Sequence, residues 1–168
     1  PDWDALGVSR HRPIKDMDKF AGLGEVPHWR HIIRDYTYDK SWDYGNMLKS
    51  PEKIKSPAYI QGGWFDFFNK GTIDAFNVLR VHGGNERVRK FTRIVLGPWV
   101  HTGNANPNLF NEHGHGDDYK QTGEKFLMGL LASPQCDPIP LEPPVRYFMM
   151  IKNEWRTSQT WPPKKVSE

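Results

Sequence analysis

Pro57-Ala58-Tyr59-Ile60-Gln61-Gly62-Gly63-Trp64-Phe65-Asp66 and, further on, Thr92-Arg93-Ile94-Val95-Leu96-Gly97-Pro98-Trp99-Val100-His101 share one layout. Each is a short apolar run, then glycine and tryptophan, then a titratable residue. Ala58 to Gln61 reads as a buried strand ended by a tight turn at Gly62-Gly63, and Thr92 to Leu96 as a second strand stopped by Gly97-Pro98. Between them, Gly71 to His82 puts Ile73, Phe76, Val78 and Leu79 on one helical face, closed by Gly83-Gly84. Asn85 to Lys90 reads as a basic loop. Strand, helix and strand in so short a span make a βαβ unit, with parallel strands and a right-handed crossover.

Parallel sheets bind ligands beyond the carboxyl ends of their strands. Asp66 stands just past the first strand and His101 just past the second. Neighbouring strands lie ~4.8 Å apart, so the two groups belong to one sheet edge. A carboxylate beside an imidazole is the pair that general-base catalysis requires, because the acid fixes the tautomer and stabilises the imidazolium. The plain alternative is that Asp66 caps the next helix and His101 is a loop residue. A nucleophile is not evident. The chain has seven serines, none in G-x-S-x-G; Ser9 comes nearest, in Gly7-Val8-Ser9-Arg10-His11. Cys136 sits among prolines, a poor place for a nucleophile. Since α/β-hydrolases order the triad Ser, acid, His, the serine is expected N-terminal to Pro1, and the chain reads as an internal fragment of a longer protein.

Working outward, residues 1 to about 50 are irregular and aromatic, with His28 to Arg34 a candidate helix, and read as short helices of a lid or cap. Tyr36, Tyr38, Trp42 and Tyr44 are expected to pack that cap on the sheet rather than form a carbohydrate or peptide platform. Asp35, Asp39 and Asp43 recur every four residues and would share one face of a helix, where a substrate ammonium could sit. Residues 102 to 118 read as loop and Gln121 to Ala132 as helix. Pro134 to Pro144, with five prolines in eleven residues, is a stiff linker. Val145 to Ile151 reads as a strand, Lys152 to Glu154 as a turn, and Trp155 to Trp161 as strand or loop. Glu112-His113-Gly114-His115-Gly116-Asp117-Asp118 has the residue types of a metal site, but two glycines leave it loose and the expectation is no metal.

Composition limits the alternatives. Lys and Arg number 23 and Asp and Glu 20, a net charge of +3 over 168 residues. No block of like charge suggests a nucleic-acid arm or polybasic anchor. No apolar run approaches the ~18 residues of a membrane span. A single cysteine excludes an internal disulfide framework. No targeting signal is visible, and compartment stays open.

These motifs together resemble the cocaine-esterase and X-Pro dipeptidyl-peptidase family of α/β-hydrolases. The Pro57–Asp66 segment resembles its acid turn and Gly97–His101 its histidine turn. Tyr38-Asp39-Lys40-Ser41-Trp42 resembles the end of its cap. Val145 to Met150, Asn153-Glu154-Trp155-Arg156 and Trp161-Pro162 resemble the opening of its jelly-roll domain. The family's Leu-Lys-Gly helix is represented only by Phe126 to Ser133, and Ile151 stands where a glycine is usual. The resemblance implies an α/β fold: 1–56 the end of a helical cap, 57–133 the C-terminal part of the hydrolase domain, 134–144 a linker, and 145–168 the start of a β jelly roll. It implies a serine hydrolase of esters or amides, with Asp66 as triad acid, His101 as triad base, and Phe68, Trp64 and Asp39 toward the substrate. It implies no metal and no cofactor. Its partners would be small esters, amides or short peptides, not nucleic acid or membrane, and a homo-oligomer is admitted. The competing expectation is a non-catalytic carbohydrate- or peptide-binding module built on the cap aromatics.

Overall fold

The computed structural model describes residues 7–38, 40–101, 117–132 and 143–164, with the side chains of 117–122 left aside. The chain divides into two compact units, Pro1–Asn46 and Met47–Glu168.

In the first unit, short 3₁₀ turns at Val8–Arg10 and Ile14–Asp16 precede helix α1, Met17–Phe20, and helix α2, Pro27–Arg34. Pro27 suits the first turn of α2, where its missing N–H has no helical partner. The two helices are tied by the buried Asp18. Its carboxylate accepts from Arg30 Nη2 at 2.6 Å and Nε at 2.9 Å, and from the N–H groups of Lys19 and Val26. Burial pushes this carboxyl up, but the two backbone donors and the guanidinium outweigh it and hold it below its ordinary value. Helix α2 stops at Arg34, where Asp35 leaves the helical conformation (φ −106°, ψ 49°), and the Asp35 carbonyl accepts the Trp42 indole N–H. Asp35 pairs with His31 and Arg34, and Asp43 lies in a separate 3₁₀ segment, Lys40–Gly45. Asp35 and Asp43 therefore do not share one helix face, contrary to the spacing argument, and Asp39 lies outside the described residues. Tyr36, Tyr38 and Tyr44 are exposed.

The second unit holds one four-stranded sheet in the order β1-β2-β3-β4: Tyr59–Phe65, Arg93–Val100, Val145–Met149 and Glu154–Ser158. The first three strands are parallel and β4 returns antiparallel to β3. Helices α3, Asn69–His82, and α4, Glu86–Phe91, connect β1 to β2, and α5, Asp117–Ala132, follows β2. The α3 face carrying Phe76 meets Ile94 and Leu96 of β2 and Val145 and Tyr147 of β3 in the core. Phe76 is fully buried there. Phe76→Ala is expected to lower the unfolding free energy of the complete protein by about 3–5 kcal/mol, measured by denaturant titration.

Several local expectations are corrected. Gly62-Gly63 and Gly97-Pro98 lie inside β1 and β2 and do not end them. The pairs run from Tyr59↔Arg93 to Gly63↔Gly97 and then shift to Phe65↔Val100. Trp64 thus faces both Pro98 and Trp99, a bulge, and a bulge is where a strand tolerates a proline without an N–H. A Cβ on Gly63 would sit 2.1 Å from the Trp99 carbonyl oxygen. That glycine permits close approach of two backbones, which sequence cannot distinguish from a turn. The expected loop at Asn85 to Lys90 is helix α4. Asn85 caps it by accepting the Val88 N–H at 2.8 Å, and Val88 and Phe91 are buried. Helix α5 begins at Asp117, inside the span read as loop to residue 118. Finally, β3 pairs with β2 through Ile94↔Val145 and Leu96↔Tyr147. Val145 to Tyr147 is thus hydrogen-bonded beside β2.

Candidate active site

The last cross-strand pair of β1 and β2 is Phe65↔Val100. Asp66 and His101 are each the next residue. Matched strand ends therefore bring the two side chains together, and His101 Nδ1 lies 3.3 Å from Asp66 Oδ2.

The turn after β1 sets the acid. The Asp66 N–H donates to the Gly63 carbonyl, and the Asn69 N–H donates to that of Asp66, both at 3.1 Å. The other carboxylate oxygen, Oδ1, accepts the Phe68 N–H at 2.8 Å. Asp66 thus organises the turn into α3 with one oxygen and faces His101 with the other, so the plain and catalytic readings of this residue coexist. The Phe68 N–H holds the Asp66 carboxyl below its ordinary value; burial opposes this and His101 reinforces it. The carboxylate is mostly covered at 14% exposure, while the imidazole is 55% exposed. A depression of about 150 Å³ is lined by Gln61, Gly62, Gly63, Trp99 and the pair itself. Its wall is firm: Trp99 is buried, packs on Trp155 at 5.8 Å, and lies so close over Gly97 that a Cβ there would meet its ring at 2.4 Å.

Phe68 presents its ring edge-on to His101 at 5.2 Å. Phe67, which the sequence reading passed over, lies at 4.9 Å from the same imidazole. No periodic pattern marks it, since it is exposed; only its place beside Asp66 could have drawn notice. Trp64 is elsewhere. Its indole N–H donates to the Phe148 carbonyl at 2.8 Å and its ring lies 5.7 Å from Trp161, packed on the core. It does not line the depression. Asp39 and Glu112 to Gly116 are outside the described residues. Among the described residues no group of three His, Cys, Asp or Glu could hold a metal ion, and no helix is long and apolar enough to cross a membrane.

A carboxylate on Nδ1 leaves Nε2, on the far side of the ring, to take a proton from a hydroxyl or water. Comparison with known proteins bears on that chemistry. Residues 5–103 match the X-Pro dipeptidyl-peptidase (S15) family. The chain is 26% identical over 165 residues to the cocaine esterase of Rhodococcus sp. (strain MB1 Bresler), covering 95% of this chain and 27% of that protein. Among solved structures it resembles an aminopeptidase from the marine sediment archaeon Thaumarchaeota archaeon, with TM-score 0.66, 22% identity and coverage of 94% of this chain and 26% of the other. It also resembles an α-amino acid ester hydrolase, with TM-score 0.62, 22% identity and coverage of 96% and 26%. The chain spans about a quarter of the length of these proteins.

Proposed function

From the premise that this chain belongs to the X-Pro dipeptidyl-peptidase (S15) family, we propose that it supplies the acid and base of a Ser-Asp-His hydrolase acting on esters or amides. The observation that carries this reading is the approach of His101 Nδ1 to Asp66 Oδ2 beyond matched strand ends. His101 is the base and Asp66 the acid. The nucleophilic serine comes from the protein N-terminal to Pro1, in the fold's chain order.

In this reading the serine O–H proton passes to Nε2 as Oγ attacks the carbonyl carbon. Asp66, ionised, accepts the Nδ1–H bond and stabilises the imidazolium. The Nε2 proton then goes to the leaving oxygen or nitrogen as its bond to carbon breaks, leaving an acyl-enzyme. Water repeats the sequence: its proton goes to Nε2 as its oxygen joins the acyl carbon, and the bond from that carbon to Oγ then breaks as Nε2 returns the proton to Oγ, releasing the acid. The substrates are small acyl esters, amino-acid esters, acyl amides or Xaa-Pro peptides, and no cofactor enters. Residues 1–56 form the end of a helical cap. Residues 145–168 open a jelly-roll domain whose first strands also extend the hydrolase sheet.

Reaction of the complete protein with a fluorophosphonate probe tests this. One serine adduct per molecule is expected, formed at least ~10²-fold more slowly in His101→Ala, since the base no longer activates the hydroxyl. Absence of an adduct, or a labelling rate indifferent to His101→Ala, sinks the proposal.

A further inference from the structure

The hydrogen bond between Asp66 and the imidazole is long. At 3.3 Å the Nδ1···Oδ2 separation lies just outside the usual range of roughly 2.7–3.2 Å for N–H···O. The His101 side chain is also 55% exposed. Among the described residues, two aromatic rings pack on the imidazole. Phe67 meets it at 4.9 Å with a 36° tilt, and Phe68 meets it at 5.2 Å near edge-on. The two phenyl rings contact each other at 4.3 Å. Phe68 is anchored by its N–H on Asp66 Oδ1 and by its carbonyl, which accepts both the N–H and the hydroxyl of Thr72. Phe67 sits between Asp66 and Phe68 in the same turn. It is 76% exposed, so burial in a core does not account for it.

We propose that Phe67 is a positioning residue for His101. With Phe68 it forms an aromatic clamp that holds the imidazole with Nδ1 toward Asp66 and Nε2 toward the reacting hydroxyl. This rests on the catalytic reading of His101 given above. The physical basis is that aromatic pairs favour the tilted and edge-on arrangements seen here. A base displaced by about 1 Å from its productive position loses on the order of 10² in rate. One turn therefore delivers the carboxylate and both rings to the same imidazole, and a single backbone geometry sets all three.

The test uses the complete protein, a small acetyl ester as substrate, and ¹H–¹³C correlation spectra of protein labelled at histidine Cε1. His101→Gln identifies the His101 resonance. Phe67→Ala is expected to lower kcat about tenfold with KM within about twofold, and to move that resonance. Phe67→Tyr, which keeps the ring, is expected to retain both rate and resonance. Parent-like turnover in Phe67→Ala, or loss in Phe67→Tyr equal to that in Phe67→Ala, overturns the clamp. If His101→Gln is itself fully active, the catalytic reading fails and the clamp's role with it. If His101→Gln is inactive while Phe67→Ala is not, only the clamp fails.

Discussion

In the complete protein, Asp66→Asn lowers kcat for an activated ester about 10⁴-fold while the fold persists. The amide occupies the same volume and its oxygen can still accept the Phe68 N–H, so the turn into α3 survives. What changes is the side facing His101. An amide N–H₂ there presents a donor to Nδ1, which favours the tautomer with its proton on Nε2, the wrong one for accepting from serine. The substitution also removes the charge that stabilises the imidazolium. The pH dependence has a definite sign. The Asp66 carboxyl is held below its ordinary value, so it is ionised at every pH above the usual carboxylate range. Its contribution, to folding and to the pair, is complete above the unfolded carboxyl pKa of about 4 and fades only as the pH falls through its lower folded value. The acid limb of kcat/KM measured above about pH 5 should therefore carry no Asp66 titration. Steady-state rates with circular dichroism on the same samples check both points. A variant with near-parent kcat removes Asp66 from the mechanism.

Gly63→Ala is expected to lower activity at least 10²-fold without touching a titratable group. The added Cβ would lie 2.1 Å from the Trp99 oxygen and 2.6 Å from its carbonyl carbon. Both are backbone atoms in a buried strand, so no flexible side chain can yield. β1 and β2 must separate or slip where Phe65↔Val100 sets the ends carrying Asp66 and His101. Overpacking of this kind costs about 1–3 kcal/mol, and an ångström of misplacement at the pair costs about two decades in rate. Gly71→Ala is the control. Gly71 is in helix α3, with open space where its Cβ would go, and alanine there is neutral or stabilising by up to ~1 kcal/mol. Parallel denaturant titrations and rate measurements separate the two. Equal behaviour of the two variants would refute the close-approach argument.

The same glycine explains what the sequence could and could not disclose. Ile60, and the run from Ile94 to Leu96, announce buried strands, and their spacing across one helix implies parallel pairing; the observed register agrees. The juxtaposition of Asp66 and His101 follows from that topology alone. Gly62-Gly63 and Gly97-Pro98 misled because a glycine needed for a turn and one needed for close approach look identical until the opposing Trp99 backbone is known. Helix α4 was hidden by its length: only Val88 and Phe91 mark its buried face amid four charges. Its cap, Asn85, is of a residue type that favours that position. The Trp64 indole reaches the carbonyl of Phe148, a partner 84 residues away that no local pattern reveals. Phe67 escaped because an exposed aromatic obeys no periodicity.

The parallel pairing of β2 with β3 has a consequence for how such a chain can be divided and recombined. The sequence leads one to expect a seam along the covalent chain at the proline-rich stretch from 134 to 144. Yet backbone hydrogen bonds join the two sides of it, with Val145 to Tyr147 lying beside Ile94 to Leu96 on the strand that precedes His101. An exchange of modules at that seam, by recombination or by engineering, would remove not an appendage but the neighbour that covers the β2 edge. A graft would function only if it brought its own strand to that edge, and a clean cut would leave an exposed template for association with other copies.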